Sequence, residues 1–75
     1  MNKDLAYYMA LHYSILLTQA DDGSWFAEIP DLPGCMSFGE TQQEALDMIE
    51  DAKLTWISGS LEAGDLIPEP KKATV

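Results

Sequence analysis

Three short segments in the first half of the chain are predicted β-strands: the first is rich in β-branched and aliphatic residues, the second alternates between two faces, and the third follows a proline turn. These segments cover residues 12–19, 25–29 and 35–38. The pair Asp22-Gly23 separates the first two and predicts a tight hairpin turn, because glycine reaches the positive φ angles that such turns need. The pattern therefore predicts three consecutive strands, of which the first two form a hairpin.

The second half of the chain changes to a helical period between residues 42 and 61. Its apolar stripe comprises Ala45, Ile49, Ala52 and Trp56, flanked by Leu46, Met48 and Ile57. Thr41 and Glu44 predict a capping box, in which the hydroxyl accepts from the Glu44 N–H and the carboxylate accepts from the Thr41 N–H. Gly64 is the predicted stop. We expect one long helix that packs its stripe on one face of the strands.

Prolines mark the remaining boundaries, since proline has a fixed φ and no N–H to donate. Pro30 and Pro33 predict a turn between the second and third strands. Residues 3–10 fit a short helix or an extended arm, residues 67–70 an extended path, and residues 71–75 at most one edge strand. The expected fold class is α+β: a three-stranded antiparallel sheet with one long helix on one face, with room for a fourth, terminal strand.

Composition limits the class of protein. A chain of 75 residues forms one small domain, and 47% apolar residues is too high for a disordered chain. Thirteen acidic and four basic residues give a net charge of −9, which argues against direct binding of nucleic acid, because phosphates require a basic surface. The acidity fits a basic protein partner that is steered by opposite charge, or it serves solubility alone.

Two features bear on location. Cys35 is the single cysteine, so the chain has no intramolecular disulfide and suits a reducing cytosol. No apolar run approaches the roughly 20 residues of a membrane span, and the N-terminus lacks the apolar core of a signal peptide. We expect a soluble, cytoplasmic protein.

Few residues offer catalytic or metal-binding chemistry. His12 is the only histidine, and with Cys35 it supplies two ligands of a metal set at most, without a CxxC spacing to support one. Cys35 could act as a nucleophile if His12 lay beside it and lowered its pKa, but a small buried hydrophobic residue is the commoner role. We predict structural roles for both residues, no metal site and no cofactor.

The acidic residues raise the alternative of a metal-dependent nuclease, which requires several carboxylates at one point. Asp21 and Asp22 lie in the predicted hairpin turn and are explained more simply as turn formers. Glu28 and Asp31 flank the end of the second strand, where Glu28 would face solvent. We therefore predict no catalytic residues and no enzymatic activity.

Residues 29–45 combine several local structural signals at fixed spacing. They read Ile-Pro-Asp-Leu-Pro-Gly-Cys-Met-Ser-Phe-Gly-Glu-Thr-Gln-Gln-Glu-Ala and join a strand exit, a proline-marked turn, a short strand and a helix start. The chain resembles the HicB-type antitoxin domain of HicA–HicB toxin–antitoxin pairs in this segment, in Tyr13-Ser-Ile-Leu-Leu and in Asp21-Asp-Gly-Ser-Trp-Phe-Ala-Glu-Ile-Pro. The resemblance covers nearly the whole chain, with residues 1–70 as the antitoxin domain and residues 71–75 as a short tail.

The resemblance implies a partial ribonuclease-H-like fold and a non-catalytic domain that covers the active surface of a small basic HicA-like toxin, which cleaves messenger RNA. Many longer members carry a C-terminal DNA-binding domain. The chain stops five residues beyond Pro70, so we expect no such domain here and no binding of operator DNA by the chain alone. The exposed edges of a three-stranded sheet and the small core favour a homodimer or a tetramer.

Exposure alone selects the candidate residues for contact with the toxin. Acidic residues would steer the complex, and apolar residues would supply lasting affinity. The candidates are Glu28, Asp31 and Phe38 near the turn, and Asp47, Asp51 and Leu54 on the outer face of the helix. Phe26 and Phe38 are also candidates for a dimer contact. The alternative function is an orphan binding module of the same fold for a small ligand or an unrelated protein, and a metal-dependent nuclease relic is a weaker third alternative.

Overall fold

The computed structural model describes residues 3–70, which form two helices and three strands. The elements are α1 (Leu5–Met9), β1 (Leu16–Gln19), β2 (Trp25–Glu28), β3 (Met36–Gly39) and α2 (Gln42–Ala63). The strands form one antiparallel sheet in the order β1-β2-β3, and α2 packs on one face of it. The predicted α+β arrangement is confirmed, and residues 3–10 contain the short helix. The ribonuclease-H-like detail stays a prediction, and the predicted terminal strand at residues 71–75 lies outside the described residues.

The first strand is shorter than its aliphatic composition predicted. It begins at Leu16 instead of residue 12, because its partner β2 ends at Glu28, directly opposite Leu16. Beyond Glu28 the chain enters the proline turn, so residues 12–15 have no strand to pair with. Tyr13 is buried all the same. The aliphatic and aromatic content of this segment therefore indicates burial but not the extent of hydrogen-bonded pairing.

The long helix begins at the predicted N-cap. The Glu44 N–H donates to Thr41 Oγ1 at 3.0 Å. The Glu44 carboxylate accepts from the Glu40 N–H at 2.9 Å, so the predicted return bond to the Thr41 N–H is wrong by one residue. The helix extends to Ala63, slightly beyond the predicted end, and Gly64 follows with a φ of +73°, a left-handed conformation that glycine adopts without steric cost.

The buried row of α2 differs from the predicted stripe. It comprises Ala45, Ile49, Lys53 and Ile57. The predicted members Ala52 and Trp56 are half-buried at its flank. The predicted stripe did not include Lys53, whose ammonium donates to the carbonyls of Met9 and Leu11, each at 3.3 Å. A lysine whose charged end finds such partners can occupy a core-facing position.

The segment after α2 returns to the N-terminal helix. Ile67 is buried, and the Tyr13 hydroxyl donates to the Pro68 carbonyl. The Glu69 carboxylate accepts from Lys3 Nζ at 2.6 Å and from the Tyr7 hydroxyl at 2.9 Å. These bonds lower the pKa of Glu69, the bond from Lys3 most strongly. Residues 67–70 follow the predicted non-helical path and hold α1 against the rest of the fold.

Candidate partner-binding surface

The sheet face opposite α2 carries an apolar patch that is largely exposed in the described part of the chain. Because side chains alternate across a strand, the register places Leu16, Phe26, Met36 and Phe38 on this face. Phe38 is 66% exposed, Leu16 50% and Met36 45%. The rings of Phe26 and Phe38 contact each other across β2 and β3, with centres 5.0 Å apart. We call these four residues the outer apolar patch.

A groove runs along the free edge of β3, between that strand and α2. It has a volume of about 610 Å³. The strand side is lined by Met36, Ser37 and Phe38, and the helix side by Met48, Asp51, Ala52, Thr55 and Trp56. The Trp56 indole N–H donates to the Pro33 carbonyl at 2.8 Å, which fixes one end of this β3–α2 groove. Its walls are largely apolar, with one carboxylate among them.

The main-chain groups of Met36 and Phe38 point into this groove. The Ile29 N–H donates to the Cys35 carbonyl at 3.0 Å, so the Cys35 carbonyl faces β2. Along an antiparallel ladder, main-chain groups point alternately toward the partner strand and away from it. Ser37 therefore bonds to β2, while Met36 and Phe38 direct their N–H and C=O groups to the free edge.

The structure brings two of the six predicted contact residues into the same site. Phe38 and Asp51 both line the β3–α2 groove. Asp47 and Leu54 are exposed on α2 and lie four and three residues from Asp51, so they share its side of the helix. The helical candidates and Phe38 thus belong to one continuous surface.

The other two predicted residues lie apart from the groove. Glu28 is opposite both Leu16 and Met36 in the register, so it sits within the outer apolar patch, and it is half-buried instead of freely exposed. Asp31 is half-buried in the turn between β2 and β3. Neither residue lines the β3–α2 groove.

Sequence reasoning missed several residues of this surface. Met36 lies two residues before Phe38 on β3, so strand alternation alone could have placed it beside Phe38. Leu16 could have been found from the hairpin register. Met48 is 48% exposed and forms part of the groove, but its role depends on where α2 lies against the sheet. No local signal in the sequence specifies that position.

His12 and Cys35 do not form a nucleophile–base pair. His12 lines a cavity of about 280 Å³ beside Lys53, together with Tyr13 and Glu50. Cys35 lies on the wall of a different cavity, the β3–α2 groove, and is only 3% exposed. Burial raises the pKa of the Cys35 thiol, which disfavours the thiolate. This geometry lacks the activation that a catalytic cysteine requires.

The carboxylates also lie at separate places in the fold. Asp22 Oδ1 accepts from the Ser24 N–H at 2.9 Å and from the Ser24 hydroxyl at 2.6 Å, and these bonds lower its pKa. This confirms Asp22 as a turn former. Glu28 lies at the opposite end of β2. Among residues 3–70, no three histidine, cysteine, aspartate or glutamate side chains are grouped so that they could hold a metal ion. No helix in the same range is long and apolar enough to cross a membrane.

Comparison with known sequences gives one matching family. The profile described as "HicB_like antitoxin of bacterial toxin-antitoxin system" matches residues 13–74. This range includes β1 to β3, α2 and the segment that contacts α1. The match therefore covers the whole sheet and both walls of the β3–α2 groove.

Individual relatives agree with the family match. The chain is 35% identical to antitoxin HicB of Escherichia coli strain K12 over 60 residues, which are 80% of this chain and 44% of that protein. It is 33% identical to antitoxin HicB 1 of Photorhabdus laumondii over 60 residues, 80% of this chain and 39% of that protein. It is 33% identical to a UPF0150 protein of Thermoplasma acidophilum over 58 residues, 77% of this chain and 84% of that protein. The chain thus spans less than half of the two HicB antitoxins and most of the shorter relative.

Proposed function

The chain belongs to the HicB-like antitoxin family of bacterial toxin–antitoxin systems, and we propose that it binds a small basic HicA-like toxin and blocks it by covering its active surface. The toxin would cleave messenger RNA, and the antitoxin would act by stoichiometric occlusion. The chain itself would need no catalytic residue and no cofactor. The complex would form in the cytoplasm, where the toxin meets its substrate.

One observation carries this proposal: exposed apolar and acidic side chains adjoin at the β3–α2 groove. Phe38 and Met36 offer apolar surface on the strand side, while Asp51 and the neighbouring Asp47 carry negative charge on the helix side. A basic partner would be steered by the charge of the whole chain, which is −9, and by these carboxylates. Burial of the aromatic and thioether groups would then supply the lasting affinity.

The test is RNA cleavage by the small basic protein encoded beside this chain, with this chain titrated in. We expect cleavage to stop near a one-to-one ratio and the two proteins to co-elute. Phe38→Ala and Asp51→Lys should weaken inhibition, whereas Glu62→Lys, on the exposed last turn of α2, should leave it unchanged. If alanine or charge-reversal changes at all six candidates leave binding unchanged, the surface is assigned wrongly. If the basic protein does not bind at all, the orphan binding module becomes the better account.

We also propose that the chain forms a homodimer or a tetramer through the outer apolar patch. Three side chains of this patch are at least 45% exposed, and only one carboxylate adjoins them in the register. Such a patch is suited to contact with a second apolar surface. Sedimentation at micromolar concentration should give a mass at least twice that of one chain. A clean monomer over that range would refute the oligomer without affecting toxin inhibition.

A further inference from the structure

The long helix does not lie under the middle of the sheet. It packs mainly against β3, which is an edge strand, and less against the central strand β2. Among residues 3–70, no strand lies over the flank of α2 beyond β3. Met48 is left about half exposed there.

The edge beside this flank is able to accept a strand. The N–H and C=O groups of Met36 and Phe38 point to it, and within residues 3–70 β3 pairs only with β2. An unpaired edge next to an apolar groove is the geometry of strand addition, in which main-chain hydrogen bonds give affinity and side-chain pockets give specificity. The groove of about 610 Å³ lies along that edge.

We propose that the β3–α2 groove receives an extended segment of the toxin, which pairs with β3 as a fourth strand. This inference rests on the proposed function and names the mode of contact. Alternate side chains of the added strand would face opposite ways. Those on the helix side meet Met48 and Asp51, and those on the other side extend the outer apolar patch next to Phe38. The segment would therefore carry lysine or arginine opposite Asp51 and apolar residues beside Phe38.

Charge favours a basic partner over a second copy of this chain as the occupant. Antiparallel pairing of β3 with the β3 of a second copy would put both α2 helices on the same face of a continuous sheet. Asp51 of each copy lies on the flank beyond β3, so the two carboxylates would face each other. Like charges in that arrangement oppose association, whereas a basic strand neutralises them.

Amide hydrogen exchange on the complex with the small basic protein encoded beside this chain tests the inference. In the free chain, the amides of Met36 and Phe38 should exchange quickly, because they face the free edge. In the complex they should slow by a factor on the order of 10 or more, as expected for amides in a strand ladder. The matched controls are Leu17 and Gln19. Their amides face the other free edge, since the Ala20 N–H donates to the Ser24 carbonyl at 2.8 Å and fixes the β1–β2 ladder.

A pair of variants separates the main-chain contact from the side-chain contact. Phe38→Ala removes the ring and keeps the N–H, while Phe38→Pro removes both. Proline is tolerated on an edge strand where the N–H faces outward, and circular dichroism of the free variant checks its fold. Loss of one main-chain hydrogen bond should make the dissociation constant of Phe38→Pro roughly fivefold higher than that of Phe38→Ala. Equal constants for the two folded variants would overturn strand addition.

The outcomes separate this inference from the proposed function. Inhibition with slowed exchange at Met36 and Phe38 supports both. Inhibition without slowed exchange there overturns strand addition and leaves the antitoxin function in place. Slowed exchange in the chain alone, together with dimerisation, would assign the edge to a second copy and overturn the inference. Absence of toxin binding would overturn the proposed function and, with it, the inference.

Discussion

The Lys53 ammonium lies 5.3 Å from the centre of the Tyr13 ring, inside the fold, where Lys53 is only 5% exposed. The same group donates to the carbonyls of Met9 and Leu11. Met9 ends α1, and the last carbonyls of a helix have no intrahelical N–H to accept from. A cation at a helix C-terminus also interacts favourably with the helix dipole. Lys53 thus joins α2 to the end of α1 and to the segment before β1.

Replacement of this lysine by an apolar side chain of similar length should destabilise the chain. Lys53→Met leaves two carbonyls without their donor and removes the cation–π contact, so we expect a loss of about 2–3 kcal/mol in the free energy of unfolding. Urea denaturation at fixed protein concentration measures it. Thr55→Met places the same side chain on an exposed part of the same helix and should change stability by less than about 0.5 kcal/mol. A loss no greater than that of Thr55→Met would contradict the proposed role of Lys53.

Stability should decline in alkaline solution through Tyr13. Burial, and next the charge of Glu69, raises the pKa of Tyr13 from 10.0 to about 12. A phenol with a higher pKa in the folded chain stabilises the fold while it is neutral, so this contribution is complete below pH 10 and is lost between pH 10 and 12. Tyr13→Phe should cost about 1 kcal/mol near neutral pH, through the hydrogen bond to the Pro68 carbonyl.

A comparison of Tyr13→Phe with the parent chain separates the effect of Tyr13 on stability from that of the other groups that titrate between pH 10 and 12. The free energy of unfolding of Tyr13→Phe should fall less steeply from pH 10 to pH 12 than that of the parent chain. Denaturant midpoints at closely spaced pH values give both curves. Parallel curves throughout would show that Tyr13 titrates in the folded chain as it does in the unfolded one.

Two glycines should respond to alanine in opposite ways. A Cβ at Gly39 would meet the main chain at the start of α2, with the Glu44 carbonyl carbon at 2.8 Å, whereas a Cβ at Gly59 would have no neighbour within 4 Å. Gly39→Ala should lower the free energy of unfolding by roughly 2–3 kcal/mol, because backbone must shift to admit the methyl group. Gly59→Ala should raise it by about 0.5–1 kcal/mol, as alanine favours a helix interior. Thermal melts of both variants measure these changes. If both substitutions changed the stability in the same direction, this placement of β3 against α2 would be contradicted.

The Cys35 thiol should react slowly in the folded chain. It is buried, and burial raises its pKa, so both access and thiolate fraction are low. Alkylation by iodoacetamide at pH 8 should be slower than in urea-unfolded chain by a factor on the order of 100 or more. Mass spectrometry of timed samples gives the two rates. Comparable rates would restore the nucleophile alternative for this cysteine.

Local residue chemistry accounts for the parts of the fold that the sequence predicted well. Thr41 begins α2 because its hydroxyl accepts an N–H within the first turn, and Gly64 ends it because a left-handed residue is needed there. The Asp22-Gly23 turn and the proline turn set the strand order in the same way. Each of these features depends on neighbours within about four residues, which is the range that a single sequence displays.

The same range explains which candidate residues of the surface the sequence indicates. Phe38 and the acidic face of α2 follow from alternation and helical period, which are local. That Phe38 and Asp51 share a groove depends on the position of α2 along β3, which is a contact between distant parts of the chain. The sequence therefore indicated individual residues of the β3–α2 groove but not how they are arranged in space.

The sequence by itself determined the order of the elements, their caps and turns, and the resemblance to the antitoxin family, because those depend on residue types at fixed short spacings. Only the tertiary structure decided that Lys53 is buried, since the carbonyls that accept its hydrogen bonds belong to residues more than 40 positions away. It also decided that α2 lies toward the edge of the sheet and that, within residues 3–70, the outer edge of β3 has no partner strand. Both follow from the simultaneous packing of all core side chains, a condition that no local pattern expresses.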